Sequence, residues 1–312
     1  MYKNVNSNKS LTSQISGGIG NQLFQYYAGF YAASKSRRNL LIDDFRVKDG
    51  SFHNDRVKAK MSIVGIRGLD GLDAEFVKST PISKLLSKNK ISKLVPFYRS
   101  KLLVIDYSPS GEIGIDMKAS DLEFSHLDIP NIRIRGNLQS LDIVQAAIRL
   151  GALSTISVQE LSSYAEKLLN QGLETKPIGI HLRLKDYGEN IKDLVSGSQY
   201  YSEGIKHLRG IIPDAPLWLF TDDVQLAMKL LPKSLSRQIS LIINPESLND
   251  LETMLVMSNC EGIIIANSTF SFWAGFFQKS QLVVAPKPWF KASKSGQDVN
   301  FNFPLGWKTI EW

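Results

Sequence analysis

Pro177-Ile178-Gly179-Ile180-His181-Leu182-Arg183-Leu184-Lys185-Asp186-Tyr187 is the stretch on which the fold turns. At strand spacing Ile178, Ile180, Leu182 and Leu184 share one face, and His181 and Arg183 share the other. Three more apolar runs follow, each ending in polar residues: LWLFTDD (217–223), GIIIANS (262–268) and LVVAP (282–286). The unbroken apolar run at 263–265 suits a strand buried on both faces of a parallel sheet. Amphipathic spacing predicts helices between these strands at 199–210, 224–231 and 249–259, and one before them at 157–171. Strand and helix in alternation make βαβ units, whose ligands bind beyond the strand carboxyl ends, where the polar residues fall.

The first half repeats this pattern in outline. Residues 10–16 read as a strand, followed by the glycine-rich GGIGNQ at 17–22 and a helix over 21–38. Leu23, Tyr27, Phe30 and Tyr31 recur at helical spacing, and Lys35, Arg37 and Arg38 suit the helix C-terminus. LLID (40–43) and IRIRG (132–136) read as strands and 141–150 as a helix, whereas 50–130 carries only weak patterns. At roughly 150 residues per domain, the 312 residues suggest two domains, 1–150 and 151–312.

Composition removes several classes of function. Hydrophobic residues make up 43% and charged residues 21%, so the chain has ample material for two cores. No apolar run approaches the roughly 18–20 residues needed to span a bilayer. The opening MYKNVNSNKS lacks the apolar region of a secretory signal, and the expected location is cytoplasmic. A single cysteine, Cys260, allows no internal disulfide and no CxxC motif. His53, His126, His181 and His207 lie too far apart for a zinc motif, and no P-loop or G-x-S-x-G elbow occurs.

Three segments carry candidate chemistry. The turn Gly17-Gly18-Ile19-Gly20-Asn21-Gln22 lets backbone amides approach a ligand phosphate at a helix N-terminus, although a tight βα turn needs the same residues. Leu23 stands where a dinucleotide fingerprint needs its third glycine. His181 and Arg183 at the end of a buried strand call for an anionic partner, which a phosphate or Asp186 could supply. Asn267-Ser268-Thr269-Phe270-Ser271 follows the most apolar strand and opens a helix, giving either caps or an anion site. The pairs Asp43-Asp44 and Asp222-Asp223 could each serve Mg²⁺, but Asp222-Asp223 also suits a helix cap.

In chain order, GGIGNQLFQYYAG (17–29), RGNLQS (135–140), HLRLKDY (181–187), LFTDD (219–223), IIANSTFSFWAGF (264–276) and VVAPKPWF (283–290) resemble motifs of the family 11 glycosyltransferases. This is the α-1,2-fucosyltransferase family, and the likeness is strongest to its bacterial O-antigen members. The resemblance implies an α/β fold of GT-B type, two Rossmann-like α/β/α domains facing a cleft. The first would shape the acceptor site and the second would hold GDP-fucose. It implies an inverting transfer of L-fucose, without metal or other cofactor, to a hydroxyl such as galactose O2 of a surface oligosaccharide.

Carried over residue by residue, the resemblance puts Arg183, Asp186 and His181 among the catalytic residues. Gly17, Gly18, Gly20, Asn21 and Gln22 would bind the nucleotide sugar with Arg183. Asp222, Asn267, Ser268, Thr269 and Ser271 would complete that set, and Gln139 would lie on the acceptor side. Leu184 and Lys185 replace the arginine and glycine of the family motif, which leaves another GDP-deoxysugar open as the donor. Near the guanine edge, Thr253 stands where the family often has an acid, with Asp250 and Glu252 close by. A Rossmann oxidoreductase is the rival reading, and Leu23 weighs against it.

The formal charge is +7, and it is uneven. Residues 1–140 carry 21 basic and 13 acidic residues, against 16 and 17 in 141–312. No acid separates Glu75 from Asp106, a window that holds Lys84, Lys88, Lys90 and Lys93 among apolar residues. No recognition helix or RNP-like motif points to nucleic acid. The expectation is peripheral contact of this stretch with an anionic inner membrane, where a lipid-diphosphate-linked acceptor would be met.

Overall fold

The computed structural model describes residues 8–44, 102–107, 117–185, 197–289 and 301–312, with Val47, Ile63, Ile66 and Ala74–Phe76. Asp186, Lys84, Lys88, Lys90 and Lys93 lie outside the described residues. The chain divides into two compact units, Met1–Thr155 and Ile156–Trp312.

In the first unit the order is β1 (Ser10–Gln14), α1 (Ile19–Ser36), β2 (Asn39–Asp43), β3 (Ala74–Phe76), β4 (Leu102–Asp106), β5 (Asn131–Arg135) and α2 (Leu141–Arg149). The strands form a parallel sheet in the order β3-β2-β1-β5-β4. Helix α1 is apolar almost all round, so it lies buried between the sheet and other segments of the same unit and not at a surface. Gly29 lets it close on β1, since a Cβ there would stand 2.5 Å from the Ser13 Cβ. The helix ends before Arg37, which is left-handed at φ 51°. Arg38 is not a last-turn charge but a buried pin, with its guanidinium donating to the carbonyls of Leu127, Ile129 and Pro130 at 2.6–3.0 Å.

The second unit begins with α3 (Ser163–Thr175), β6 (Ile178–Leu182), α4 (Ser198–Arg209), β7 (Leu217–Thr221), α5 (Val224–Leu230) and α6 (Lys233–Ser236). It continues with β8 (Ile239–Ile243), α7 (Asp250–Ser258), β9 (Gly262–Ile264), α8 (Thr269–Phe276), β10 (Val283–Lys287) and β11 (Lys308–Glu311). All pairings are parallel, in the order β11-β10-β9-β6-β7-β8. Counted from β6, that is the 3-2-1-4-5-6 order of a doubly wound nucleotide-binding sheet, read from the β8 edge. Ile178, Ile180, Leu182 and Leu184 pack on Tyr200, Tyr201, Ile205 and Leu208 in one buried core. Burying each such leucine or isoleucine contributes about 1.5–3 kcal/mol.

Helix α3 starts six residues later than its apolar spacing suggests and runs four residues further, to Thr175. Ser162 sets its start, since its hydroxyl accepts from Ala165 N at 3.2 Å while its own amide donates to Glu252 at 2.6 Å. Its end comes only at Lys176, left-handed at φ 50°, before Pro177. Among the described residues no helix is long and apolar enough to cross a membrane.

Candidate functional site

Strand order reverses in the second unit between β6 and β9, which pair only as far as Ile180↔Ile264. Beyond that pair the strands part, and the crevice between them is where such sheets bind ligands. His181 and Arg183 enter it from β6, and the helix α8 opens on it from β9. The Arg183 guanidinium is half-buried and donates to the Ser268 hydroxyl at 3.2 Å. Helix α8 has no side-chain cap and no acid in its first turn, so its positive end is not neutralised locally.

His181 is buried, with its ring against Phe270 at a centroid distance of 5.7 Å. Burial, reinforced by the Arg183 charge, lowers its pKa to about 3. It is therefore a neutral imidazole at physiological pH, and its Nδ1 meets no hydrogen-bond partner. The Nδ2 of Asn267, a residue only 2% exposed, is likewise unpartnered. Unsatisfied buried polar atoms are rare, and two at one strand switch suggest atoms reserved for a ligand.

Other residues expected to touch the nucleotide sugar also make bonds that shape the chain around this crevice. Asp222 accepts from the backbone amides of Leu184 and Lys185 at 2.7 and 3.1 Å, which fixes the chain as it leaves Arg183. Asp223 caps α5 through Leu226 N at 2.9 Å. Ser271 is fully buried and donates to the Ala266 carbonyl at 3.0 Å, holding the turn into α8. Leu184 is buried in the core, as its alternation predicts, and Lys185 is exposed. Thr269 is half-buried in the first turn of α8.

The first unit has its own reversal between β1 and β5, with the glycine turn at its mouth. Gly17 sits at φ 77°, a conformation that favours glycine, and Gly18 is exposed at the start of α1. A Cβ on Gly18 would meet nothing within 4 Å, so the space before α1 is open. Gly20 is buried in the first turn. The fully buried Gln22 spends its amide on the Gly17 carbonyl at 2.7 Å and the Ile63 amide at 3.1 Å. Gln25, which the sequence did not single out, ties Ser16 N at 2.7 Å to the Gly136 carbonyl at 3.0 Å. Asn21 accepts from Gln139 at 3.2 Å, and the other amide atom of Gln139 is buried without a partner.

The acidic pairs read for metal have other occupations. Asp43 makes a buried ion pair with Arg133, and Asp222 and Asp223 are engaged as above. Among the described residues no group of three or more His, Cys, Asp or Glu side chains could hold a metal ion.

Residues 157–311 match the family model described as glycosyl transferase family 11. The chain is 25% identical over 291 residues to an alpha-1,2-colitosyltransferase of Escherichia coli, covering 90% of this chain and 92% of that protein. It is 24% identical over 307 residues to the O-antigen biosynthesis glycosyltransferase WbnK of Escherichia coli, covering 91% and 96%. Among solved structures it resembles the fucosyltransferase NodZ from Bradyrhizobium, with a TM-score of 0.54 at 15% identity over 85% of this chain and 91% of that one. NodZ, described as an alpha-1,6-fucosyltransferase, has also been co-crystallised with GDP. The fold is thus of GT-B type, with two Rossmann-like α/β units.

Proposed function

We propose that this chain, whose residues 157–311 match the family model described as glycosyl transferase family 11, transfers L-fucose from GDP-fucose to a hydroxyl of a bacterial surface oligosaccharide. Galactose O2 is the proposed acceptor atom, and inversion the stereochemical course. The supporting observation is the convergence of Arg183, neutral His181, Asn267 and the uncapped start of α8 at the strand switch. All of these can donate hydrogen bonds, which suits a diphosphate that gains charge as the sugar departs.

In this mechanism Arg183 and the first amides of α8 hold the GDP diphosphate, while Asp222 keeps the Arg183 backbone in place. His181 keeps its proton count through the reaction and contributes a hydrogen bond to the donor. Asp186 takes the proton of the acceptor hydroxyl as the sugar inverts, a role that rests on the motif. No metal or other cofactor takes part, and the acceptor is carried on a lipid diphosphate. The co-crystallisation of NodZ with GDP supports the nucleotide.

A second reading has a specific observation behind it. The E. coli relative named as a colitosyltransferase favours GDP-colitose, whose sugar is fucose without its 3-hydroxyl. Leu184 stands where the family motif has arginine and is buried in the core, so the hydrogen bonds of that arginine are missing from this position. Thermal-shift screening against GDP, UDP, dTDP, CMP and NAD tests the nucleotide, and hydrolysis of GDP-fucose against GDP-colitose then tests the sugar. A shift with GDP and EDTA-resistant release of fucose are expected. Preference for colitose selects the second reading, and a shift with NAD alone overturns both.

A further inference from the structure

Opening a crevice in a parallel sheet exposes peptide carbonyls where the strands part. The last pair joining β6 to β9 is Ile180↔Ile264, and one residue further along each strand a tyrosine hydroxyl arrives. Tyr201 donates to the His181 carbonyl at 3.1 Å. Tyr200 donates to the Ile265 carbonyl at 2.6 Å, with the Val284 carbonyl at 3.0 Å. Both tyrosines are consecutive in α4, both are fully buried, and their rings meet edge to face at 5.0 Å. A core that needed only filling would accept phenylalanine at both positions, because a buried hydroxyl costs free energy unless it is bonded.

The carbonyls chosen are telling. One belongs to His181 itself, two residues before Arg183. The other lies two residues before Asn267 and three before Ser268. Each hydroxyl therefore fixes the backbone from which one side of the site projects. We propose that Tyr200 and Tyr201 are positioning residues, which hold the two lips of the crevice at the separation the donor diphosphate requires. The inference rests on the glycosyl-transfer reading given above. Neither ring touches the substrate; both act through His181, Arg183, Asn267 and Ser268.

Tyr200→Phe and Tyr201→Phe in the full chain test this, with Tyr164→Phe as a control on α3. Kinetics are taken well below the melting temperature of each variant, so that lost stability cannot lower the rate. The expected result is a kcat on the GDP-sugar about tenfold to a hundredfold lower, with KM changed by less than about threefold, since small displacements of positioned groups cost rate. Combining Tyr201→Phe with Arg183→Ala should cost less beyond Arg183→Ala than Tyr201→Phe costs alone, because part of the effect of the tyrosine passes through Arg183. Nitrogen NMR of histidine-labelled protein gives a readout independent of turnover, the His181 signal being identified by its loss in His181→Asn. That signal should shift and broaden in Tyr201→Phe but not in the control. Unchanged kcat, or an unmoved His181 signal in a folded variant, overturns the proposal. Failure of the wild-type protein to turn over any GDP-sugar would count against the glycosyl-transfer reading, while the NMR result would still decide on the tyrosine.

Discussion

Arg183 and His181 show how one strand end divides two tasks between neighbouring side chains. Arg183 stays half-exposed and donates to the Ser268 hydroxyl. Arg183→Ala should therefore leave stability within about 1 kcal/mol, while removing the charge proposed to hold the leaving group should lower kcat by about a hundredfold or more. Release of GDP at the wild-type rate by the folded variant would contradict the assignment. His181 is the opposite case, because its pKa is lowered to about 3 by burial and then by Arg183. An unfolded chain takes up this proton near pH 6.5, whereas the folded protein does not until about pH 3. Acid therefore favours the unfolded state across that window, and the stability held above pH 6.5 is lost as pH falls toward 3. Between pH 7.5 and 5 this one group should cost about 2 kcal/mol, at about 1.4 kcal/mol per unit. Urea melts at the two pH values should show that difference shrinking in His181→Asn; an undiminished one would place the titration elsewhere. The alternation of the motif made both residues legible, but the amides of Leu184 and Lys185 that Asp222 holds, and the Ile63 amide that Gln22 holds, are distant in sequence. Only the folded chain brings them together.

Elements were legible where their apolar run was long and their ends were local. Strands β6, β7 and β10 and helices α4, α5 and α7 fall within a residue or two of their sequence patterns, β6 and β7 each stopping two residues short, at Leu182 and Thr221. Strands β8 and β11 escaped because edge strands are half-exposed, so Ser240, Lys308, Thr309 and Glu311 dilute the apolar signal. Helix α3 was misplaced because its start depends on a side chain ninety residues away, Glu252. That carboxylate is 4% exposed; it accepts from Ser162 N at 2.6 Å and closes a capping box on Asn249 at 3.3 Å. The acid near the expected guanine contact is thus occupied in joining α3 to α7. Glu252→Ala should destabilise the fold by about 2–3 kcal/mol, since it strands two amides in a largely buried place. GDP affinity should survive in the folded variant. Lost affinity at unchanged stability would return Glu252 to the nucleotide site.

At the scale of the molecule, the two units share a fold but not a charge. Met1–Thr155 carries 22 basic and 14 acidic residues, whereas Ile156–Trp312 carries 15 and 16. A net charge of +8 on the first unit against −1 on the second has no counterpart in the nucleotide chemistry, because the donor-rich crevice of the second unit draws on one arginine, neutral groups and a helix end. We propose that the excess answers to something the first unit meets. An acceptor carried on a lipid diphosphate would present anionic headgroups to that unit, and each basic residue near such a surface is worth about 1 kcal/mol at low ionic strength. Lys84, Lys88, Lys90 and Lys93, with the apolar residues between them, are the proposed contact. The full chain should sediment with vesicles containing phosphatidylglycerol and not with vesicles of phosphatidylcholine alone. Binding should weaken steeply as salt rises, because surface electrostatics are screened over about 10 Å at 0.1 M ionic strength. Changing the four lysines to glutamine should abolish most of the binding while leaving GDP-sugar hydrolysis in solution intact, since none of the four is among the residues proposed to hold the donor. Retained vesicle binding would move the charge elsewhere on the first unit. Loss of hydrolysis together with binding would mean that the lysines serve the reaction and not the surface.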